Sequence, residues 1–339
     1  MAAPILLMHE RSLAHDTGAH PENAERIRAI ERYLDAADWL TWERRASTPA
    51  SRDALLRVHP ASHLDHLAAL AASGGGRIDA DTVVSGGSWD AALHAAGGAI
   101  EVVDLLAGGE TQAAASLHRP PGHHCETNRA MGFCLLSNVA IAARHAVQAH
   151  GLERVMIIDW DVHHGNGTQQ VLEADRNVLF ASIHQAPLYP GTGSVHEIGS
   201  GEGAGFTVNL PVRAGAGDEV FVSLVQHVLA PLARSFAPQL LLISAGYDAH
   251  ADDPLAGCQV SDHGYFGMAA TIRSVAEEVG APVGLVLEGG YDIAALSRSV
   301  VQTLDALGSD KPPAVDAVPE HPVAGNARAR IAEFWPGLG

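Results

Sequence analysis

Short apolar runs alternate with longer stretches of helical spacing along most of this chain. The runs lie at residues 5–8, 113–117, 155–158, 178–183, 207–212, 240–244 and 283–287. Each has the length of a buried strand, and the stretches between them are long enough for crossover helices. The pattern predicts an α/β fold with three layers, in which helices flank a mainly parallel central sheet.

Apolar residues at helical spacing predict several helices. We place them at residues 21–34, at 51–72 with a break near Pro60, at 91–106 and at 326–334. Residues 77–88 show no clear period and contain two adjacent glycines. We interpret this segment as a surface loop that could overhang a site.

Five polar clusters follow five of the predicted strands. They are RPPGHH at 119–124, DWDVHHGN at 159–166, HQAPLYPGTG at 184–193, AGYDAH at 245–250 and EGGYD at 288–292. Open parallel sheets bind ligands in the crevice at the carboxyl ends of their strands. We therefore expect the five clusters to share one site.

The stretch VMIIDWDVHHGNGTQ at 155–169 joins a buried strand to residue types that bind metals. In extended backbone, Asp159, Asp161 and His163 are two residues apart and project to the same side. One short piece of chain can therefore hold a divalent ion. The alternative is a strand that ends in a polar, helix-capping loop. It would suit a lone D-x-D better than this cluster, which also contains Asn166.

The composition disfavours some partners. The 339 residues carry a formal charge of −18 and only 21 scattered Lys and Arg, so we expect no nucleic acid bound through a basic surface. An acidic rim would favour cationic substrates. Hydrophobic residues make up 47% of the chain and no linker interrupts them. This fits a single domain with a core at about 5–310 and a tail at 311–339 that wraps the surface.

The amino-terminal apolar run and the cysteines indicate the cellular compartment of the protein. The run has no basic leader, and His9 and Glu10 interrupt it before it reaches membrane-spanning length. Cys125, Cys134 and Cys258 are an odd number at wide spacing, which suits reduced thiols better than a disulfide framework. We expect a cytoplasmic protein that does not enter a membrane.

Six motifs together carry a resemblance to a known family. They are RPPGHH at 119–124, MGFC at 131–134, DWDVHHGNGTQ at 159–169, YPGTG at 189–193, SAGYDAHADDP at 244–254 and LEGGYD at 287–292. In this order, over about residues 9–301, the chain resembles the zinc-dependent histone deacetylases. The class II branch, with its bacterial histone deacetylase-like amidohydrolases and acetylpolyamine amidohydrolases, looks most similar, because H-P-E near the start and Asn166 are features of that branch. The resemblance implies the arginase/deacetylase fold.

The resemblance implies two cation sites. It makes Asp161, His163 and Asp248 the ligands of one Zn²⁺ and leaves a coordination position open for water. Taken alone, Asp248 could equally be a turn residue after a strand. A structural K⁺ beneath the zinc would be held, largely through backbone oxygens, by Asp159, Asp161, His163, Ser182 and Ile183.

Two adjacent histidines, His123 and His124, lie in a Pro-Gly loop and are candidates for proton transfer. The alternative is a pair that holds the loop by hydrogen bonds. By resemblance, His124 is the general base and then acid, with Asn166 behind it, whereas His123 is backed by Asp159 and contributes electrostatically. A carboxylate favours the imidazolium at His123, and a neutral amide leaves His124 able to accept a proton near pH 7.

Aromatic and glycine residues complete the implied substrate site. Tyr291 would donate its hydroxyl to the substrate carbonyl. Two aromatic walls would enclose a lysine side chain, although either wall could be ordinary core. The implied substrate-binding residues are Phe133, Tyr189, Gly132, Leu255 and Gly289. Arg26 would line an acetate exit channel.

We therefore predict a zinc-dependent amidohydrolase that cleaves the acyl amide of N-acetyl-lysine in a protein or peptide. One alternative is a deacylase of acetylpolyamines or another amide metabolite. A second is a catalytically silent module that binds acyl-lysine, which the complete set of implied ligands, the histidine pair and Tyr291 disfavour. The sequence leaves open the physiological substrate, the acyl length and whether the chain forms a homo-oligomer.

Overall fold

Ten strands lie within residues 2–338, the part of the chain that the computed structural model describes. They are β1 Ile5–Met8, β2 Glu43–Ala46, β3 Gly75–Arg77, β4 Val83–Ser85, β5 Ala113–Ser116, β6 Val155–Asp159, β7 Val178–Gln185, β8 Thr207–Val212, β9 Leu240–Ala245 and β10 Val283–Leu287. Eight of them form one sheet in the order β2-β1-β5-β10-β9-β6-β7-β8. Every neighbouring pair in that sheet is parallel, whereas β3 and β4 form a separate antiparallel hairpin.

Helices cover both faces of the sheet. They are α1 Glu25–Ala36, α2 Arg52–Leu55, α3 Ala61–Ala72, α4 Ser88–Ala107, α5 Asn138–His150, α6 Asn166–Leu172, α7 Asp218–Leu224, α8 Ala230–Phe236, α9 Asp262–Val279, α10 Ile293–Gly308 and α11 Pro322–Ile331. Helices α4, α5 and α6 contribute to the core on one face, and α1 and α7 to α11 contribute to the core on the other. The predicted three-layer α/β fold is confirmed.

Side chains alternate between the two faces along the central strands. In β6, Val155 and Ile157 pack with α4 and α5, whereas Met156 and Ile158 pack in the core that contains α9 and α10. The strand is buried along its whole length. A strand covered on both faces needs apolar residues at every position, which explains its continuous apolar run.

Three strands, β2, β3 and β4, were not predicted from the sequence. Residues 77–88 are not an irregular loop, because β3 and β4 form a hairpin there and α4 already begins at Ser88. Strands of only three residues are too short to show a period. The edge strand β2 reads ERRA and is largely exposed, so it has no apolar alternation to reveal it.

The last helix begins at Pro322 rather than at 326. The side chain of His321 caps it by accepting a hydrogen bond from the N–H of Val323, and Pro322 fits the first turn. Ala324, Ala327 and Ile331 of this helix are buried in the core that also contains α9 and α10. Among residues 2–338, no helix combines the length and the apolar character needed to cross a bilayer.

Candidate active site

The polar clusters after β5, β6, β7, β9 and β10 meet at the carboxyl edge of the sheet. Four of the clusters, all except the one after β9, contribute to the lining of a cavity of about 230 Å³. The cavity is lined by Asp81, His124, Gly132, Phe133, His163, Leu188, Tyr189, Leu255 and Tyr291. All of these except Asp81 and Leu188 were singled out from the sequence.

Asp161, His163 and Asp248 bring three ligand atoms together beside this cavity. The first two follow β6, and Asp248 follows β9. His163 Nδ1 lies 2.9 Å from Asp248 Oδ2 and 3.2 Å from Asp161 Oδ1. The three ligand atoms are within 4.8 Å of one another. Two carboxylate oxygens and one imidazole nitrogen form a donor set that suits Zn²⁺.

The other oxygens of these two carboxylates are held by main-chain N–H groups. Asp248 Oδ1 accepts a hydrogen bond of 2.8 Å from Val162, and Asp161 Oδ2 accepts one of 2.9 Å from Gly289. A side chain at Gly289 would collide with both carboxylates. Gly289 therefore lies against the candidate ligands and is absent from the cavity lining, where we expected a substrate contact.

The charges around the trio favour a bound cation. Burial and the neighbouring carboxylate of Asp161 raise the pKa of Asp248 to about 7. Burial opposes a charged imidazole at His163, but Asp248 and Asp161 outweigh it and raise the pKa of His163 to about 10. A positive charge between these buried carboxylates, carried by a proton or by a metal ion, lowers their electrostatic free energy. The residues therefore fit a metal cation.

His123 and His124 lie side by side, with ring centroids 4.0 Å apart, in opposite electrostatic environments. His123 Nδ1 lies 3.1 Å from Asp159 Oδ2, and Nε2 lies 3.7 Å from Asp161 Oδ1. Burial opposes the charge on His123, but Asp161 and Asp159 raise its pKa well above the ordinary value. Burial and the charges of His123 and His163 lower the pKa of His124 well below it. His123 is therefore the cation of the pair, and His124 is neutral.

The tautomer of His124 follows from Asn166. The Asn166 side-chain NH₂ donates to Glu126 Oε1 at 3.0 Å, which turns its amide oxygen toward His124. His124 Nδ1 lies 2.8 Å from that oxygen and must donate its hydrogen to it. Nε2 of the neutral ring is then the acceptor, and His124 lines the cavity.

Glu288 holds the loop that carries both histidines. Its Oε2 accepts hydrogen bonds from the main-chain N–H of Gly122 at 2.6 Å and of His123 at 3.1 Å. Ser244 donates its hydroxyl to Oε1 at 3.3 Å. Burial raises the pKa of Glu288 to about 7. The sequence gives Glu288 no role, although a carboxylate directly after a buried apolar strand was a usable signal.

Arg26 supports the glycine-rich loop that carries Tyr291. Its Nε donates to the carbonyl oxygen of Gly290 at 2.7 Å, and Nη2 donates to that of Glu288 at 2.6 Å. The guanidinium carbon lies 5.0 Å from the centre of the Tyr291 ring. Arg26 is fully buried and is not among the residues that line the cavity.

Phe133 and Tyr189 form two sides of the cavity. Phe133 has a φ of 70°, and the glycine before it also has a positive φ. The ring of Phe133 packs edge-on to that of Tyr291, with 5.6 Å between the centroids. Tyr189 packs edge-on to His124 at 5.1 Å and is 39% exposed. Neither ring lies in the core. A side chain at Gly132 would collide with the ring of His124, so the narrow lining requires glycine there.

The β3–β4 hairpin reaches the mouth of the cavity and contributes Asp81, which was missed in the sequence. The hairpin is tied to the site on both sides. The Asp81 carbonyl oxygen lies 3.0 Å from His20 Nε2, and the Thr82 hydroxyl accepts a hydrogen bond of 3.3 Å from the N–H of Phe133. The segment thus overhangs the site as expected, but as an ordered hairpin.

The residues predicted to hold a monovalent cation lie next to the candidate zinc ligands. Ser182 of β7 is the register partner of Asp159 at the end of β6, and Ile183 follows it. The Ser182 hydroxyl is 3.0 Å from His184 Nδ1.

Two further groups of metal-capable side chains occur among residues 2–338. They are His59, His63 and Cys125 in the interior and Asp104, His145 and His150 near the surface. His59 is already satisfied, because Nδ1 is 2.9 Å from the Thr127 carbonyl and Nε2 accepts from the N–H of Ser137 at 3.0 Å. Arg57 donates to His145 Nδ1 at 2.6 Å, which leaves the His145 proton on the nitrogen facing the carboxylate. Hydrogen bonds explain both groups.

Comparison with known proteins identifies the family. A model described as the histone deacetylase domain matches residues 20–307. The chain belongs to the histone deacetylase family. The family comprises deacetylases and amidohydrolases, enzymes that hydrolyse amide bonds.

Relatives of this histone deacetylase-family chain extend over most of its length. Histone deacetylase 10, chloroplastic, of Oryza sativa subsp. japonica is 41% identical over 324 residues, which cover 90% of this chain and 73% of the relative. The histone deacetylase-like amidohydrolase of Pseudomonas aeruginosa is 40% identical over 275 residues, covering 80% of this chain and 72% of the relative. The crystal structure of the HDA15 HD domain matches with a TM-score of 0.92 at 34% identity and covers 100% of this chain and 97% of that chain.

Proposed function

We propose that this histone deacetylase-family protein is a zinc-dependent deacylase that hydrolyses the acyl amide of N-acetyl-lysine in a protein or peptide. One observation carries the proposal. The trio of Asp161, His163 and Asp248, the neutral His124 and the hydroxyl-bearing Tyr291 all border or adjoin one narrow cavity of about 230 Å³. Hydrolysis of an amide needs these functions within reach of a single carbonyl group.

Asp161, His163 and Asp248 would hold one Zn²⁺ through two carboxylate oxygens and Nδ1. When bound, the metal supplies Lewis acidity to the substrate carbonyl and to the attacking water. The K⁺ site at Asp159, Ser182 and Ile183 stays a prediction.

His124 acts as the proton carrier. Its Nε2 accepts the proton of the attacking water and then donates a proton to the leaving amine. The hydrogen bond from Nδ1 to Asn166 keeps the ring in the tautomer that this requires. Burial and the adjacent His123 cation lower the pKa of His124, so the neutral base predominates before the substrate binds.

Tyr291 acts as an oxyanion donor. Burial raises its pKa well above the ordinary value of tyrosine, so the hydroxyl remains protonated and can donate to the developing negative charge on the carbonyl oxygen. The hydrogen bonds that Arg26 donates to the carbonyl oxygens of Gly290 and Glu288 limit the movement of the loop that carries Tyr291. Donors fixed in advance stabilise a transition state more than mobile ones do.

The cavity walls suit an acyl-lysine. Phe133, Tyr189 and Leu255 offer apolar surface to the methylene groups of the side chain. The substrate carries only a neutral amide inward, so no charge has to be desolvated in the channel. Acetylpolyamines are the second candidate, and Asp81 favours them, because a carboxylate at the mouth attracts a second ammonium group.

The deciding experiment is a turnover panel on protein of defined zinc content. It compares kcat/KM for acetyl-lysine peptides, peptides with longer acyl groups and acetylspermidine. We expect the acetyl-lysine peptides to be hydrolysed fastest, with activity lost on chelation and restored by zinc. Faster turnover of acetylspermidine would favour the polyamine function, and binding of peptide without turnover would favour the silent module.

A further inference from the structure

Arg273 of α9 is a buried arginine without a counter-charge among residues 2–338. It is only 6% exposed. Its Nε has no hydrogen-bond partner. No carboxylate oxygen of the described chain lies within the 4.0 Å that defines an ion pair with it. A guanidinium that is largely removed from water is stabilised when an anion binds beside it.

The two fully buried arginines, Arg26 and Arg119, show how this chain compensates such charges. Arg26 and Arg119 both form ion pairs with the buried carboxylate of Glu22. Each also donates to main-chain carbonyl oxygens. Against these two, Arg273 is the exception, and a missing external anion would account for it.

Arg273 lines a cavity of about 310 Å³ at the edge of the sheet opposite the active site. Pro4 and Gln112, which precede β1 and β5, belong to the lining, whereas the catalytic cavity lies beyond the carboxyl ends of the strands. Thr41 and Gln112, two residues whose side chains can donate hydrogen bonds, also line the cavity. The two sites share no residue.

Thr41 belongs to an unusual piece of backbone. It is the last of four consecutive non-glycine residues, Asp38 to Thr41, with φ between 49° and 66°. This left-handed conformation is unfavourable for residues with a Cβ, and proteins retain such conformations mainly where a site depends on them. The unfavourable turn at Thr41 is therefore consistent with a binding role for the cavity.

We propose that this cavity binds one small oxyanion, with Arg273 as its charged ligand and Thr41 and Gln112 as neutral donors. Phosphate and carboxylate groups share the required chemistry, since both present oxygens to a guanidinium in a bidentate manner. The volume admits an inorganic anion or a small metabolite. The charge of −18 on the chain disfavours a polyanionic macromolecule.

Asp310 is the internal competitor of the anion. It is exposed and also borders the cavity. If it turned inward to pair with Arg273, the cavity would need no ligand. Removal of the Asp310 charge therefore separates the two explanations. If the cavity is an anion site, the change strengthens anion binding; if Asp310 is the partner of Arg273, the change removes the counter-charge of the arginine.

The test titrates sodium phosphate, sulfate and acetate into the zinc-loaded full chain at constant ionic strength, with chloride as the reference. Calorimetry gives stoichiometry, and the melting temperature should rise with saturation as expected for a ligand of the native state. We expect one site that prefers at least one of the three anions to chloride, an affinity at least tenfold lower in Arg273→Met, and one at least threefold higher in Asp310→Asn. Preference for phosphate and sulfate or for acetate identifies the class.

Turnover of an acetyl-lysine peptide, measured in the same solutions, tests whether the anion binds in the catalytic cavity instead. Turnover should be unchanged in Arg273→Met and Asp310→Asn, and anion binding at the new site should not inhibit it. Equal binding by the wild type and Arg273→Met would overturn the proposal. If Arg273→Met does not fold, Asp310→Asn decides: a lowered melting temperature without tighter anion binding means an internal ion pair and overturns it.

Discussion

Asp253 accepts a hydrogen bond of 2.6 Å from the main-chain N–H of Tyr291. The same Oδ2 accepts from the N–H of Asp292 at 3.2 Å, and Oδ1 accepts from the N–H of Leu255 at 3.0 Å. The Asp253 side chain is 7% exposed. One buried carboxylate therefore joins the loop that carries Tyr291 to Leu255, which lines the same cavity.

We predict that Asp253→Asn lowers kcat about tenfold or more with little change in KM. The amide retains one acceptor oxygen but presents N–H hydrogens to main-chain donors, so Tyr291 loses its fixed position. Steady-state kinetics on an acetyl-lysine peptide measures the effect. Asp252→Asn is the matched control, because Asp252 is exposed. A lower melting temperature with unchanged kcat would mean that Asp253 only stabilises the fold.

Tyr291→Phe should lower kcat by about a hundredfold and leave KM nearly unchanged, as expected when one oxyanion donor is lost. The ring and its contact with Phe133 remain, so zinc content and melting temperature should match the wild type. Parallel losses of melting temperature and activity would instead favour a packing role for the tyrosine.

His124→Ala should reduce kcat by about a hundredfold or more, and His123→Ala should reduce it less. The electrostatic contribution of His123 cannot replace His124, the group that gives a proton to the leaving amine. Both variants are compared by single-turnover kinetics. Added imidazole should restore part of the activity of His124→Ala and none of that of His123→Ala. Similar mild losses in the two variants would contradict the assignment of roles.

Leu255→Glu should shift the ratio of catalytic efficiencies toward acetylspermidine by about tenfold or more, the size of one favourable ion pair in a partly dry site. The leucine side chain offers no compensation for a second ammonium group in the channel. Leu255→Gln is the control, because it has similar shape without the charge. An equal shift in both variants would show that polarity or shape, and not charge, selects the substrate.

Four buried histidines should make the free energy of unfolding decrease as the pH is lowered from about 6.5 to 4. Burial lowers the pKa of His59 and of His164 to about 4 and that of His118 and of His184 to about 3. Below about pH 6.5 these four histidines bind protons in the unfolded chain that the folded chain excludes. Their contribution to stability is therefore complete above that pH and is lost as the pH decreases.

Urea unfolding at a series of pH values measures this dependence. Each histidine contributes at most about 1.4 kcal/mol per pH unit. His59→Gln should reduce the slope, and His66→Gln, at an exposed position, should not. An unchanged slope in His59→Gln would mean that His59 is already protonated in the native protein.

The signals that the sequence contains are local. An apolar run such as 155–158 is visible because a strand covered on both faces needs apolar residues at each position. The D-x-D-x-H spacing of Asp159, Asp161 and His163 also needs only the period of extended backbone. These features were sufficient for the α/β fold and for the edge of the sheet at which the site lies. Most of the cavity lining was implied only by the resemblance to the histone deacetylases.

Tertiary structure alone decided which residues support that site and how they are charged. The contact of Glu288 with the loop at Gly122 spans 166 residues, and that of Arg26 with Gly290 spans 264, so no local pattern encodes either. The adjacent His123 and His124 have similar sequence surroundings, yet their pKa values move in opposite directions. Asp161 and Asp159 raise the pKa of His123, whereas burial and the charges of His123 and His163 lower that of His124. Burial and long-range neighbours set these properties, because both depend on the complete fold.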